Sequence, residues 1–158
     1  MRKMLYIHPL DCTGCRNCEI ACSYIKEGLM NPKKARIHPI RIGAVYDNPV
    51  VCRQCRNPPC AKNCPVNAIE DRGNIVYVDE KKCIGCGVCV QECPFGAIAI
   101  HPDKGVAIKC DQCGHCIKYC PTGKLRFIDI NEIAHHKGLE HAKRRDAALK
   151  VGGVKVAH

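Results

Sequence analysis

Tryptophan is absent from this 158-residue chain, and tyrosine and phenylalanine number only five and two. Aromatic side chains bury the largest areas of any residue type, so an ordinary apolar core is out of reach unless something else fills it. Long apolar runs are missing as well. No stretch approaches the roughly 20 residues of a membrane-spanning helix, and the expectation is a soluble, cytoplasmic protein. The opening Met1-Arg2-Lys3-Met4-Leu5-Tyr6-Ile7-His8-Pro9 carries charge but not the apolar stretch of a secretory signal. There is no G-x-G-x-x-G fingerprint, no P-loop and no H-E-x-x-H pair, which removes the common nucleotide-dependent and zinc-hydrolase chemistries.

What the chain does have is cysteine: sixteen residues in four groups of four. They are Cys12, Cys15, Cys18, Cys22; Cys52, Cys55, Cys60, Cys64; Cys83, Cys86, Cys89, Cys93; and Cys110, Cys113, Cys116, Cys120. Three groups read C-x2-C-x2-C-x3-C, and the second is stretched to C-x2-C-x4-C-x3-C. Pro65, Pro94 and Pro121 follow the last three groups. This is the spacing of bacterial iron–sulfur ligands. A disulfide framework needs an oxidising compartment, which the absence of a secretory signal argues against. Zinc sites join two C-x2-C pairs across a longer spacer or bring in histidine. No cysteine is left over, so the expectation is four [4Fe–4S] clusters.

The clusters change how the charge is read. The formal net charge is +10, but ligating cysteines are thiolates. A site of four thiolates around an oxidised core carries roughly −2, so four sites bring the total to about +2. A nucleic-acid partner loses its electrostatic basis, and none is expected. Arg16, Arg53, Arg56, Lys62, Lys81, Lys82, Lys109 and Lys118 lie in or beside the cysteine loops and read as compensation for cluster charge. With so little apolar bulk, folding should depend on metal binding.

An internal repeat runs along the chain. Asp79 to Ile100 and Gly105 to Ile128 each hold a lead-in, a cysteine loop, a short helical turn, Cys-Pro and an apolar run. Leu5 to Tyr24 follows the same scheme without the proline. Stacked two-cluster modules follow from such a repeat. Short apolar runs predict strands at Met4–Ile7, Ile37–Ile42, Ile75–Val78, Ile98–Ile100, Val106–Ile108 and Leu125–Ile130. The longest helix is predicted over Arg16 to Glu27, closed by Gly28. From Asn131 the composition turns basic and helix-forming, with Val151 to His158 as a loose tail. His135, His136, His141 and His158 read as solvated positions of that segment rather than as ligands. The fold class is α+β, with a four-cluster domain over 1–130 and a C-terminal helical tail over 131–158.

The first three sulfurs of a loop wrap one cluster, while the fourth lies beyond a helical turn and reaches a different one. Two modules could then stand in series, pairing groups one with two and three with four. They could also be nested, pairing one with four and two with three.

The sequence resembles the four-cluster ferredoxin-like subunits that serve tungsten, molybdenum, nickel or hydrogenase enzymes. The resemblance is carried by Cys12-Thr-Gly-Cys15-Arg-Asn-Cys18-Glu-Ile-Ala-Cys22, by Asn31-Pro32-Lys33-Lys34-Ala35-Arg36-Ile37, and by Cys52-Arg-Gln-Cys55-Arg-Asn-Pro58-Pro59-Cys60. Cys110-Asp-Gln-Cys113 and Tyr119-Cys120-Pro121-Thr122-Gly123 extend it. Within that group it looks most like the iron–sulfur subunit of tungsten aldehyde oxidoreductase, and it is also similar to the electron-transfer protein of carbon monoxide dehydrogenase. It departs from many relatives in the minimal Gly114-His115 spacer of the last loop. The resemblance implies the nested arrangement, with an outer module from loops one and four and an inner module over 50–100. Cys12, Cys15 and Cys18 would share a cluster with Cys120, and Cys110, Cys113 and Cys116 one with Cys22. Cys52, Cys55 and Cys60 would pair with Cys93, and Cys83, Cys86 and Cys89 with Cys64.

Every candidate ligand is spent on saturating a cluster, leaving no open iron for a substrate and no separate C-x3-C-x2-C radical site. The expectation is therefore a non-catalytic electron-transfer subunit. The resemblance implies a large tungsten or molybdenum catalytic subunit as one partner. A flavin NAD(P)H-linked subunit, a ferredoxin or another copy of the chain would be the second. Hydrogenase or formate dehydrogenase complexes, or life as a free polyferredoxin, are the alternative settings.

Overall fold

The computed structural model describes residues 2–8, 11–42, 46–129 and 132. The expected C-terminal helix, apart from residue 132, lies outside the described residues, as do His135, His136, His141 and His158.

The described chain is built from hairpins and short helices. In order these are β1 (Lys3–Tyr6), α1 (Asn17–Glu27), a 3-10 turn (Pro32–Lys34), β2 (Ile37–Ile42), β3 (Tyr46–Val51), α2 (Pro59–Lys62), β4 (Ile69–Asp71) and β5 (Val76–Val78). Then follow α3 (Val88–Gln91), β6 (Ile98–Ile100), β7 (Ala107–Lys109), a second 3-10 turn (His115–Tyr119) and β8 (Arg126–Asp129). This is an α+β fold, and the expected strands and long helix appear within a residue or two of their predicted bounds. No helix among the described residues is long and apolar enough to cross a membrane.

All strand pairs are antiparallel and two-stranded: β2 with β3, β4 with β5, β6 with β7, and β1 with β8. The last joins the two ends of the described chain, with Lys3 opposite Asp129 and Tyr6 opposite Arg126. The other hairpins lie between them in sequence, so the two modules are nested rather than consecutive. β3 and β4 were not predicted. β3 carries Asn48 and Pro49, which normally demote a strand. It is tolerated because the pair has two open edges and Pro49 sits directly opposite Pro39, so neither missing N–H interrupts a central ladder.

α1 starts after Arg16, which is left-handed at φ 61°, and stops at Gly28, at φ 73°. The Gly28 N–H donates to the Tyr24 carbonyl at 2.8 Å, closing the last turn. Glu19 in the first turn and Lys26 in the last complement the helix dipole.

The core is split in two, and cysteines form part of both halves. Leu5, Ile37, Val51, Leu125, Cys22, Cys52, Cys110 and Cys116 belong to one cluster; Ile69, Val76, Ile98, Cys60 and Cys89 belong to the other. Where an ordinary domain would place Phe or Trp, this chain places thiols.

Candidate iron–sulfur sites

Each cysteine loop turns sharply before its second cysteine. The residue there is left-handed in all four: Gly14 at φ 65°, Gln54 at 50°, Gly85 at 69° and Gln112 at 62°. A Cβ on Gly14 would run into the Asp47 carboxylate, and one on Gly85 into the Gly105 carbonyl. Loops two and four have glutamine in this position and use its side chain. Gln54 is fully buried. Its Nε2 donates to the Cys110 carbonyl at 2.8 Å, and its Oε1 accepts from the Val76 N–H at 2.9 Å. Gln112 Nε2 donates to the Lys3 carbonyl. These amides tie loop two to loop four and β5, and loop four to β1. Sequence reasoning passed over them, although aligning C-x-G-C with C-x-Q-C marks the position.

Helices separate the third cysteine of a loop from the fourth. Cys18 and Cys22 lie on α1 four residues apart, so they share a face but sit about 6 Å apart along the axis. The 3-10 turn bearing Cys116, with Cys120 at its end, packs against α1. α2, bearing Cys60, packs in the same way against α3, bearing Cys89.

Three cavities result. Cys12, Cys15, Cys18 and Cys120 line the first. Cys22, Cys110, Cys113 and Cys116 line the second. Cys64, Cys83, Cys86 and Cys89 line the third. The remaining four also face one another, because Cys52 and Cys93 both act on the titration of Cys55 and Cys60. In each group the fourth cysteine comes from another loop.

The segment after the fourth cysteine returns a hydrogen bond to it. The N–H groups of Asn67, Gly96 and Gly123 donate to the carbonyls of Cys64, Cys93 and Cys120 at 3.2, 3.2 and 3.1 Å. These are tight turns with proline at the second position. The turn then aims the next N–H at sulfur: Ala68 to Cys64 Sγ at 3.2 Å and Ala97 to Cys93 Sγ at 3.4 Å. Thr122 Oγ1 lies 3.3 Å from Cys120 Sγ. Loop one lacks the proline, so α1 runs on past Cys22. There the Arg36 N–H donates to Cys22 Sγ at 3.3 Å instead.

Electrostatics fit a metal-dependent site. Burial, then Cys12 and Cys15, pushes the Cys18 thiol up to about 12. Burial also drives Cys110 to about 12 and, with Cys52 beside it, Cys60 to about 11. Cys12, Cys22, Cys55, Cys89 and Cys116 are raised too, each chiefly by burial. Cys120 goes the other way: burial would raise it, but the Thr122 hydroxyl and nearby backbone N–H groups outweigh burial. Thiols held protonated by burial among other thiols become comfortable only when metal replaces their protons. The donor sets are all sulfur, face a cavity and receive N–H groups from outside it, which fits an iron–sulfur cluster.

The four groups form a row. Cys116 of the second cavity feels Cys18 of the first. Cys110 of the second feels Cys52 of the remaining group. That group's Cys60 and Cys93 pack with Cys64, Cys83 and Cys89 of the third cavity. Cys15 at one end of the row and Cys86 at the other are exposed, as is Cys113 between them.

Comparison with known proteins agrees with this geometry. Residues 9–25, 76–99 and 110–124 each match a 4Fe–4S binding domain. Over 102 residues the chain is 42% identical to Hydrogenase-4 component A of Escherichia coli, covering 63% of this chain and 48% of that one. Over 109 residues it is 38% identical to the polyferredoxin-like subunit of aliphatic sulfonate oxidoreductase of Pyrococcus furiosus, covering 68% and 63%. The chain thus spans between about half and two thirds of those two relatives. It is 37% identical over 137 residues to an uncharacterized ferredoxin of Methanocaldococcus jannaschii, covering 85% of this chain and 78% of that one. Sixteen cysteines in four loops, three 4Fe–4S domain matches and a ferredoxin relative aligned over most of its length place the chain in the 4Fe–4S ferredoxin family.

Proposed function

We propose that the chain holds four [4Fe–4S] clusters and carries electrons between a catalytic oxidoreductase subunit and an acceptor. The observation that carries this reading is the row of four cysteine groups with an exposed cysteine at each end. A [4Fe–4S] cluster bound in such a group supplies one-electron transfer. The chain's own part is to hold and insulate. Its ligands are Cys12, Cys15, Cys18 and Cys120; Cys22, Cys110, Cys113 and Cys116; Cys52, Cys55, Cys60 and Cys93; and Cys64, Cys83, Cys86 and Cys89. Backbone N–H groups of Arg36, Ala68 and Ala97 stabilise thiolate charge. The apolar residues between neighbouring groups keep water out, which lowers the reorganisation each transfer costs.

We assign residues 1–130 to the cluster domain, with 50–100 as its inner module, and read 131–158 as a basic segment from its composition. The partner proposed at one end of the row is a tungsten or molybdenum aldehyde-oxidising subunit. At the other end it is a flavin subunit, a ferredoxin or a second copy, in an anoxic cytoplasm. Relatives named as a hydrogenase component and as a subunit of a sulfonate oxidoreductase support the role of complex subunit and keep a hydrogenase setting as the alternative. Anaerobic purification of the chain from its native cells tests both levels. About sixteen irons per chain are expected, together with a large metal-bearing subunit in the same peak. About eight irons with zinc in the remaining sites would sink the four-cluster reading. A chain eluting alone would replace the subunit with a free carrier.

A further inference from the structure

Arg36 occupies an unusual place. Its backbone N–H donates to Cys22 Sγ, and Arg36 is among the residues lining the cavity of Cys22, Cys110, Cys113 and Cys116. Arg36 also lines a polar cleft walled by Lys26, Tyr77, Glu80, Lys109 and Asp111. It is only 10% exposed, and its Nη1 has no hydrogen-bond partner among the described residues. The other terminal nitrogen, Nη2, is 3.6 Å from Glu27 Oε1 and 3.8 Å from Glu80 Oε1, too far for a hydrogen bond. Glu27 is moreover shared with Lys104 at 3.0 Å and His101 at 3.3 Å. Asp111, the other charge on the cavity wall, is neutralised by Lys26. Arg36 is thus a buried cation with one unspent donor against one of the four sites. Elsewhere, the charged residue lining the first cavity is Arg16, which is 57% exposed and paired with Glu19, and the third cavity has no charged lining residue.

We propose that Arg36 is a positioning residue that sets the reduction potential of the site formed by Cys22, Cys110, Cys113 and Cys116. It makes an added electron more favourable there than the same ligands would alone. An electron arriving at the site adds a negative charge, and a fixed guanidinium in a desolvated wall stabilises that charge. The cleft behind Arg36 gives the opposing lever, since Glu80 is 47% exposed on its wall and weakens the cation's effect.

This proposal rests on the four-cluster reading, and the test separates the two. Holo-protein is titrated with dithionite under anaerobic conditions and followed by electron paramagnetic resonance, with iron counted in every sample. Cys113→Ser identifies which signal belongs to this site. In Arg36→Met that signal alone should move to lower potential, with its reduced-to-oxidised ratio at a fixed potential falling about tenfold. Arg36→Lys should recover part of the shift. Glu80→Gln, a change on the cleft wall that removes no core contact, should move the same signal upward. An unchanged potential in Arg36→Met at full iron content would overturn the proposal, as would an equal shift of all four signals. If Arg36→Met cannot be loaded with iron, Glu80→Gln decides: an upward shift of the marked signal supports the role, and no shift overturns it. Wild-type protein with far fewer than sixteen irons would instead sink the four-cluster reading.

Discussion

Cys22 is the residue at which local and tertiary information part. It belongs by sequence to the first loop, yet it lines the cavity of Cys110, Cys113 and Cys116. Cys22→Ser should therefore alter the same magnetic resonance signal as Cys113→Ser. A match with Cys15→Ser would mean that each loop owns its own cluster. Gln54 makes the second residue-scale prediction. Its buried amide satisfies both the Val76 N–H and the Cys110 carbonyl. Gln54→Leu leaves both unpaired and should cost about 2–4 kcal/mol, read as a faster loss of cluster absorbance in denaturant. The four cysteine groups were legible in the sequence because cysteine spacing is a local signal. Gln54 was not, because its partners lie 22 and 56 residues away.

At the scale of elements, the longest helix among the described residues acts as a spacer. α1 holds Cys18 in one site and Cys22 in the next, one turn further along. Its C-terminal end is anchored to the inner module through Glu27, which meets Lys104 and His101 in the turn between β6 and β7. Burial would raise the Glu27 carboxyl, but Lys104, His101 and Arg36 together hold it below the usual carboxylate range. A carboxyl depressed by folding contributes stability above its unfolded pKa and loses it as pH falls through the folded one. Wild type should therefore exceed Glu27→Gln in stability at neutral pH, and the gap should close as pH drops below the carboxylate range. Denaturation midpoints at a series of pH values check this; a gap that widens in acid would contradict it. The helix and most strands could be read from periodicity and turn residues. β3 was hidden by Asn48 and Pro49, and β4 by Glu70 and Asp71, which interrupt the apolar run after Ile69.

At the scale of the molecule, the described residues form a row of cysteine groups with apolar filler rather than a core with such groups attached. Thiols populate both buried clusters, and only two phenylalanines and no tryptophan are present to replace them. Removing iron with a chelator should therefore leave buried thiols facing empty space, and the cooperative thermal transition should disappear. Calorimetry of the chelated chain checks this, and a surviving sharp transition would show a core independent of metal.

By itself the sequence determined the number of cysteine groups, the iron–sulfur chemistry and most of the described secondary structure. All of these depend on residues within a dozen positions of one another. Only the tertiary structure decided which loop each fourth cysteine faces, because that follows from which helical turns pack together. Series and nested pairings use the same local spacings. The antiparallel closure of β1 on β8 and the packing of α1 on the turn of Cys116 select between them. The buried place of Arg36, between one cavity and the cleft, was decided in the same way: it exists only once the two modules have come together.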